Sequence, residues 1–222
     1  MTPSIIFDFD GTLAVGDGPV LAYARYAAEA AADDYLERVQ VELDKHAVGA
    51  SALRDGYDVV GTLARTDGVD EQTLNAAYAH SRTRLGTADA PVSPAPGLLD
   101  LLAALDPGIR IILATNAPDQ GIRELLAAWG IADRFAALHF AVGKPAGLEP
   151  ILLSALADGP VLSIGDIFAF DLAPARALGA ATALVGATAE TSPESPTMRG
   201  TTLEDVAPAI RTWATSVLTP TA

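Results

Sequence analysis

Cysteine is absent from the 222 residues of this chain, and only three histidines occur, at His46, His80 and His139. The absence excludes disulfide bonds, thiolate metal ligands and cysteine nucleophiles, and the scattered histidines lack the spacing of a histidine metal site. No stretch approaches the roughly 18 consecutive apolar residues of a membrane span. The opening residues also lack the basic start and long apolar run of a signal peptide. We therefore expect a cytoplasmic protein with no membrane partner.

Positive charge is scarce as well. The chain has 14 lysines and arginines against 28 aspartates and glutamates, which gives a formal net charge of −14. Binding of nucleic acid needs a basic surface, so we expect no nucleic-acid partner. Half of the residues are hydrophobic, which is enough to bury a core in one domain with a modest insertion. Nothing in the sequence indicates an oligomeric state.

The order of strand and helix patterns predicts an α/β fold interrupted by a helical insertion. A short apolar run from Ser4 to Phe9 is typical of a buried strand. Helical patterns follow it, and from residue 98 to residue 185 strands and helices alternate. This alternation predicts a parallel sheet with helices on both faces. We therefore assign residues 1–15 and 91–222 to an α/β core domain and residues 16–90 to a separate helical bundle.

Several local features of the α/β part are also predicted. Residues 138–142 form a short apolar run and are predicted as a strand. A helix is expected from Leu172, and the polar, proline-containing stretch 187–200 is expected to be a loop. Thr202 and Asp205 have the spacing of a capping pair, which predicts the start of a final helix.

Polar side chains stand where the predicted strands end. They come from four separate stretches of the chain, and they are Asp8, Asp10, Thr115, Asn116, Lys144, Asp166 and Asp171. Ligands of open α/β sheets bind at the carboxyl ends of the strands. We therefore expect these side chains to meet at a common edge of the sheet.

The chemistry of such a cluster is that of phosphoryl transfer. Carboxylates packed together repel one another, and a divalent cation relieves the repulsion. Oxygen ligands without histidine favour Mg²⁺ over zinc or copper. Mg²⁺, a lysine and a hydroxyl stabilise a transferring phosphoryl group, whose phosphorus a carboxylate can attack. Lys144 is one of only two lysines, and a compact point charge suits this role better than the planar fork of arginine.

The same residues resemble the four motifs of the haloacid dehalogenase-like superfamily of hydrolases. DFDGT at residues 8–12 matches the first motif, and the apolar strand that ends in Thr115 resembles the second. Lys144, followed by proline, resembles the third, and Asp166 with Asp171 resembles the fourth. The match extends over residues 4–186. It implies a Rossmann-like, doubly wound core with the helical bundle as a cap. It also implies an enzyme that hydrolyses a small phosphorylated metabolite.

This resemblance also implies a role for each catalytic side chain. Asp8 is expected to be the nucleophile. Asp10 is expected to protonate the leaving alcohol and then to activate the hydrolytic water. Thr115 is expected to hydrogen-bond the transferring phosphoryl group, and Lys144 to neutralise charge on the nucleophile and the phosphate.

The metal and phosphate contacts are implied in the same way. Mg²⁺ is expected to bind Asp8, the backbone carbonyl of Asp10, and Asp166. Asp171 is expected either to bind the ion or to lie just outside its ligands. The residues expected to bind the phosphate, largely through backbone N–H groups after the first and second motifs, are Gly11, Thr12 and Asn116.

Other functions stay open. Dehalogenases of this family lack the second aspartate of the first motif, which is present here as Asp10. A phosphonate hydrolase would need a lysine in the cap, for which Lys45 is the candidate, and a phosphosugar mutase would need a cap that returns a bound bisphosphate. A non-catalytic phosphate-binding module such as a receiver domain would gather similar side chains but would lack the DxDGT motif on the first strand. An inactive member of the family would usually lose a catalytic aspartate, and none is missing here.

Overall fold

The computed structural model describes residues 1–219, which divide into two compact units. The first unit comprises Met1–Val15, Pro94–Asp119 and the chain from Leu126 onward. The second comprises Gly16–Ser93 together with Gln120–Leu125. The role of the helical unit as a cap stays a prediction.

Strands and helices follow one another in chain order within residues 1–219. The strands are β1 (Ser4–Phe7), β2 (Ala14–Val15), β3 (Ser93–Pro94), β4 (Arg110–Ala114), β5 (Phe135–His139), β6 (Val161–Gly165), β7 (Ala181–Leu184) and β8 (Met198–Arg199). The helices are α1 (Gly18–Ala27), α2 (Tyr35–Ala47), α3 (Gly56–Thr66), α4 (Glu71–Arg82), α5 (Leu98–Ala104), α6 (Ile122–Ala128), α7 (Leu148–Asp158), α8 (Ala173–Ala177) and α9 (Leu203–Leu218). None of these helices has the length and apolar character needed to cross a membrane.

The first unit is built on a six-stranded sheet in the order β5-β4-β1-β6-β7-β8, and every neighbouring pair is parallel. In the central strand β1, Ile6 pairs with Ile112 of β4 and with Ser163 of β6. Ile6 and Ile112 pack against α7 and α8 through Leu152 and Ala175. The residues of β1 on either side of Ile6 are fully buried too, so both faces of this strand are covered. The predicted α/β fold with a parallel sheet is confirmed.

The second unit contains α1 to α4 and has its own apolar core. The ring of Tyr35 is fully buried in that core, and its hydroxyl donates to the carbonyl of Val60 at 2.9 Å. Asp70 is the N-cap of α4, as predicted, because its carboxylate accepts the N–H of Thr73 at 2.7 Å. A buried core and the capped start of α4 give this unit local stability of its own.

Three details differ from the sequence predictions. The strand predicted at residues 138–142 is β5, which begins earlier, at Phe135. The predicted loop 187–200 contains the short strand β8, which pairs with β7. The helix expected from Leu172 is preceded by a π-helical turn over Phe168–Leu172. Both misjudged strands lie at the edges of the sheet, where burial is weakest and the apolar pattern carries the least information.

The predicted capping pair of α9 is confirmed and gives a test of stability. Thr202 Oγ1 accepts the N–H of Asp205 at 3.2 Å, and the Asp205 carboxylate accepts the N–H of Thr202 at 2.8 Å. Thr202→Ala removes the first bond, so urea denaturation should show a loss of about 1 kcal/mol in the free energy of unfolding. Thr212→Ala is the control, because its exposed hydroxyl only bonds back to Pro208. That control should change the stability by less than about 0.5 kcal/mol, and equal losses in both variants would contradict the role of the cap.

Candidate active site

The carboxyl ends of three adjacent strands place the predicted acids side by side. Asp8 follows β1, and its N–H still donates to the carbonyl of Ile164 in β6 at 2.9 Å. Thr115 follows β4, and its N–H donates to the backbone carbonyl of His139 in β5 at 3.0 Å. Asp166 directly follows β6. Because Asp8 and Thr115 continue the backbone pairing of the sheet, hydrogen bonds of the sheet fix their positions.

Lys144 lies on the loop after β5, and its ammonium group joins two of the acids. Lys144 Nζ is 2.5 Å from Asp8 Oδ1 and 2.5 Å from Asp171 Oδ1. The side chains of Lys144, Asp8 and Asp171 are only 3%, 10% and 4% exposed, so water screens these charges poorly. A buried ion pair stabilises a fold only when its charges are compensated. Here one positive charge serves two negative ones, and one negative charge remains in excess.

Burial and the neighbouring charges together shift the pKa of Asp8. Burial, and then the charge of Asp171, raise this pKa from 3.8 to about 7, against the opposite effect of Lys144. For the Lys144 ammonium, burial lowers the pKa, but the charges of Asp8 and Asp171 outweigh it and the net shift is upward. Near neutral pH, Lys144 therefore stays charged while Asp8 titrates. A divalent cation beside Asp8 would favour the ionised form that a nucleophile needs.

Three carboxylates could hold such a cation. Asp8, Asp166 and Asp171 each offer one oxygen, and these oxygens lie within 4.8 Å of one another. Oxygen ligands of this kind suit Mg²⁺. Three carboxylates and one ammonium leave two negative charges in excess, which matches a divalent cation. The carboxylate of Asp10 is not in this set, and its predicted contribution to the metal is a backbone carbonyl.

Asp171 is held through both its side chain and its backbone. Its Oδ1 accepts from Lys144, and its Oδ2 accepts the N–H of Ile167 at 3.0 Å. The buried hydroxyl of Ser163, on β6, donates to the Asp171 carbonyl at 2.8 Å. Both carboxylate oxygens accept a hydrogen bond, and each keeps a second lone pair that could bind a metal ion. Ser163 was missed at the sequence level, although a hydroxyl within an apolar strand was a signal that could have identified it.

Two glycines make room for the acids. A Cβ added at Gly11 would collide with the carboxylate of Asp166, and Gly11 also has a positive φ of 80°. A Cβ added at Gly165 would collide with the side chain of Asp171. The close approach of the carboxylates therefore depends on the lack of a side chain at both positions.

The turn after Asp8 uses backbone groups that were predicted to meet phosphate. The N–H of Gly11 donates to the carbonyl of Ala14 at 2.9 Å, and the N–H of Thr12 donates to that of Phe9 at 3.2 Å. These two residues therefore shape the turn. Among the described residues, the buried Thr12 hydroxyl has no hydrogen-bond partner. That Gly11 and Thr12 also contact phosphate stays a prediction.

The segment after β4 binds the loop that carries Lys144. The hydroxyl of the buried Thr115 accepts the N–H of Ala117 at 3.0 Å. Asn116 is exposed, and its Oδ1 accepts the N–H of Lys144 at 2.6 Å. The carboxamide of Asn116 thus contacts the backbone of Lys144, while its predicted contact with phosphate stays a prediction.

Comparison with known proteins identifies the family. A family model described as haloacid dehalogenase-like hydrolase matches residues 3–179. The chain belongs to the haloacid dehalogenase-like hydrolases. This family-level match spans the strands and loops that carry Asp8, Asp10, Lys144, Asp166 and Asp171. The protein is therefore an enzyme of the hydrolase class.

Individual relatives agree with the family. The chain is 33% identical to a phosphoglycolate phosphatase of Rhodospirillum rubrum over 196 residues, which cover 81% of this chain and 77% of that protein. YfnB of Bacillus subtilis, solved bound to magnesium, aligns with a TM-score of 0.61 at 16% identity, over 94% of this chain and 98% of that one. An L-2-haloacid dehalogenase of Xanthobacter autotrophicus aligns with a TM-score of 0.56 at 20% identity, over 95% and 99% of the two chains. At these identities the two solved structures show the fold alone.

A glycine substitution tests the tight packing in this haloacid dehalogenase-like hydrolase. Gly11→Ala should lower the free energy of unfolding by about 1–2 kcal/mol for the left-handed backbone alone, and further because the Cβ displaces Asp166. Gly179→Ala is a matched control, since Gly179 has a φ of 79° but open space around its Cα. Denaturation of both variants should therefore show a larger loss for Gly11→Ala. Equal losses would mean that the site tolerates the added methyl group.

The raised pKa of Asp8 gives this hydrolase a pH dependence with a defined sign. Since the pKa of Asp8 is about 7 in the folded state and its ordinary value is 3.8, the folded state holds the Asp8 proton more tightly than the unfolded state. In metal-free protein, the contribution of Asp8 to stability should therefore fall as the pH rises from about 4 to 7, by on the order of a few kcal/mol. Denaturation in EDTA measures it as the stability of the wild type minus that of Asp8→Asn. If the stability of the wild type relative to Asp8→Asn instead grows with pH, the attraction of Lys144 outweighs the effect of burial on the pKa of Asp8.

Proposed function

We propose that this hydrolase is a Mg²⁺-dependent phosphatase that hydrolyses a small phosphate monoester through an aspartyl-phosphate on Asp8. The observation that carries the proposal is the sharing of one buried ammonium, that of Lys144, between Asp8 and Asp171, with Asp166 close by. A site with two uncompensated negative charges suits a divalent cation. A phosphoryl group would then lie between that cation and the lysine.

In the first half of the reaction, a carboxylate oxygen of Asp8 attacks phosphorus. The new Asp8 O–P bond forms as the bond from phosphorus to the leaving alcohol breaks, and Asp10 gives its proton to the departing oxygen. Lys144 neutralises charge on Asp8 and on the phosphoryl oxygens. When bound, Mg²⁺ supplies positive charge to the phosphoryl oxygens and favours the ionised form of Asp8.

In the second half, water cleaves the aspartyl-phosphate. Asp10, now ionised, takes a proton from the water, whose oxygen attacks phosphorus. The Asp8 O–P bond breaks, and inorganic phosphate leaves with Asp8 again a carboxylate. The hydroxyl of Thr115 and the N–H groups after Asp8 and Thr115 are proposed donors to the phosphoryl oxygens in both halves.

The relative from Rhodospirillum rubrum supports a small phosphorylated carboxylic acid as the first substrate to test. It is a phosphoglycolate phosphatase that shares 33% identity over 81% of this chain. A substrate this small would be held mainly through its phosphate. Its carboxylate would need a further cationic or hydrogen-bonding group.

The rival activities within the family give different products. A dehalogenase releases halide and needs no acid for a leaving alcohol, so Asp10 supports a phosphatase instead. A phosphosugar mutase isomerises its substrate with little release of phosphate, and a phosphonate hydrolase breaks a carbon–phosphorus bond. Release of inorganic phosphate from phosphoglycolate, with no chloride released from 2-chloropropionate, would favour the phosphatase.

Substitution of the proposed nucleophile tests the function directly. The wild type with Mg²⁺ should hydrolyse p-nitrophenyl phosphate, and Asp8→Asn should lower kcat by at least about 10³-fold. Asp133→Asn is the matched control, because Asp133 lies exposed in the turn before β5 and should leave kcat unchanged. Turnover that survives in Asp8→Asn, or no turnover of any phosphate monoester by the wild type, would contradict the proposal.

A further inference from the structure

Two loops beside Asp8 are joined by a short series of hydrogen bonds. Beyond the last pairing of β4 with β5, the N–H of Val142 donates to the carbonyl of Thr115 at 3.0 Å. The N–H of Ala141 donates to the carbonyl of Ala117 at 2.9 Å. The loop after β5 thus stays hydrogen-bonded to the segment after β4 beyond the ends of the two strands.

The last bond of this series uses a side chain. The N–H of Lys144 donates to Oδ1 of Asn116 at 2.6 Å. A longer contact of 3.5 Å joins Asn116 Nδ2 to the Lys144 carbonyl. The carboxamide therefore takes the place of a peptide carbonyl in binding the N–H of Lys144, and its amino group lies near the Lys144 carbonyl.

The loop that carries Lys144 needs such an anchor. Ala141 adopts a φ of +47°, which residues with a Cβ rarely do. A strained backbone conformation persists only where the surrounding structure holds it. The lysine stem has four carbons and free rotation about its bonds, so the place of its ammonium depends on where the loop fixes its Cα.

We propose that Asn116 is a positioning residue for Lys144: its carboxamide fixes the lysine backbone so that the ammonium lies between Asp8 and Asp171. This role adds to the phosphatase activity proposed above, and its kinetic consequence depends on that activity. Asn116 acts through the lysine. Its side chain should therefore affect kcat more than KM.

The scarcity of lysine allows a test that does not depend on activity. The sequence has only two lysines, Lys45 and Lys144. The side chain of Lys45 is largely exposed and pairs with Glu42, so Lys45→Arg is a mild change. In Lys45→Arg protein labelled with ¹⁵N-lysine, the single lysine amide signal belongs to Lys144. Its chemical shift and its rate of hydrogen exchange report the bond to Asn116.

Three variants in this background decide the structural part. Asn116→Ala removes the acceptor and should speed exchange of the Lys144 amide by at least about 10-fold, as expected for loss of a protecting hydrogen bond. Asn116→Asp keeps an acceptor oxygen and should restore most of the protection. Asn75→Ala is the matched control, since Asn75 is the other asparagine of the chain and lies exposed on α4. An Asn116→Ala amide that exchanges as in the wild type would overturn the proposal.

Steady-state kinetics with p-nitrophenyl phosphate and Mg²⁺ decide the functional part. If Asn116 positions the lysine, Asn116→Ala should lower kcat by about 10- to 100-fold, the cost of a small misplacement of a catalytic group, with little change in KM. A raised KM at unchanged kcat would instead indicate that Asn116 binds substrate directly, and it would overturn the positioning role. If the wild type turns over no phosphate monoester, the proposed function fails, and the exchange experiment alone still decides whether Asn116 holds Lys144.

Discussion

The ammonium group of Lys144 contacts two buried carboxylates but can neutralise only one of them. Asp8 and Asp171 each lie 2.5 Å from it, and Asp166 adds a third carboxylate close enough to share a cation. Like charges so close together in a buried place cannot all ionise without a counter-ion. The site is therefore built to gain positive charge. A divalent cation would meet that need, and its remaining charge would attract the oxygens of an incoming phosphoryl group.

In the first unit, the backbone provides most of the contacts that hold these charged groups together. Parallel pairing of β4, β1 and β6 brings residues that lie far apart in the chain to one edge of the sheet. Gly11 and Gly165 leave room for the carboxylates to approach. Ser163 and the N–H of Ile167 hold Asp171 against the lysine. Rigid placement of this kind matters because misplaced charges lose most of their effect on a transition state.

The groups proposed to carry the chemistry could be named from the sequence because they follow apolar strands in short, recognisable motifs. Asp8, Asp10 and Asp166 belong to such motifs, and the alternation of strands and helices predicted the edge where they would meet. Ser163 could be noticed as a hydroxyl within an apolar strand, but no motif indicated that it bonds Asp171. The contact of the Asn116 carboxamide with Lys144 could not be assigned either, since it joins segments that are distant in sequence. At the edges of the sheet, the start of β5 was predicted too late and β8 was predicted as a loop, because weak burial leaves a weak pattern.

A crystal structure of the wild type grown with Mg²⁺ and beryllofluoride, which mimics a phosphoryl group on a carboxylate, tests the proposed site most directly. We expect an adduct on the Asp8 carboxylate, with the Lys144 ammonium beside it and Mg²⁺ bound by Asp8 and Asp166. A beryllofluoride adduct on another residue, or a metal ion bound away from Asp8 and Asp166, would contradict the proposed site.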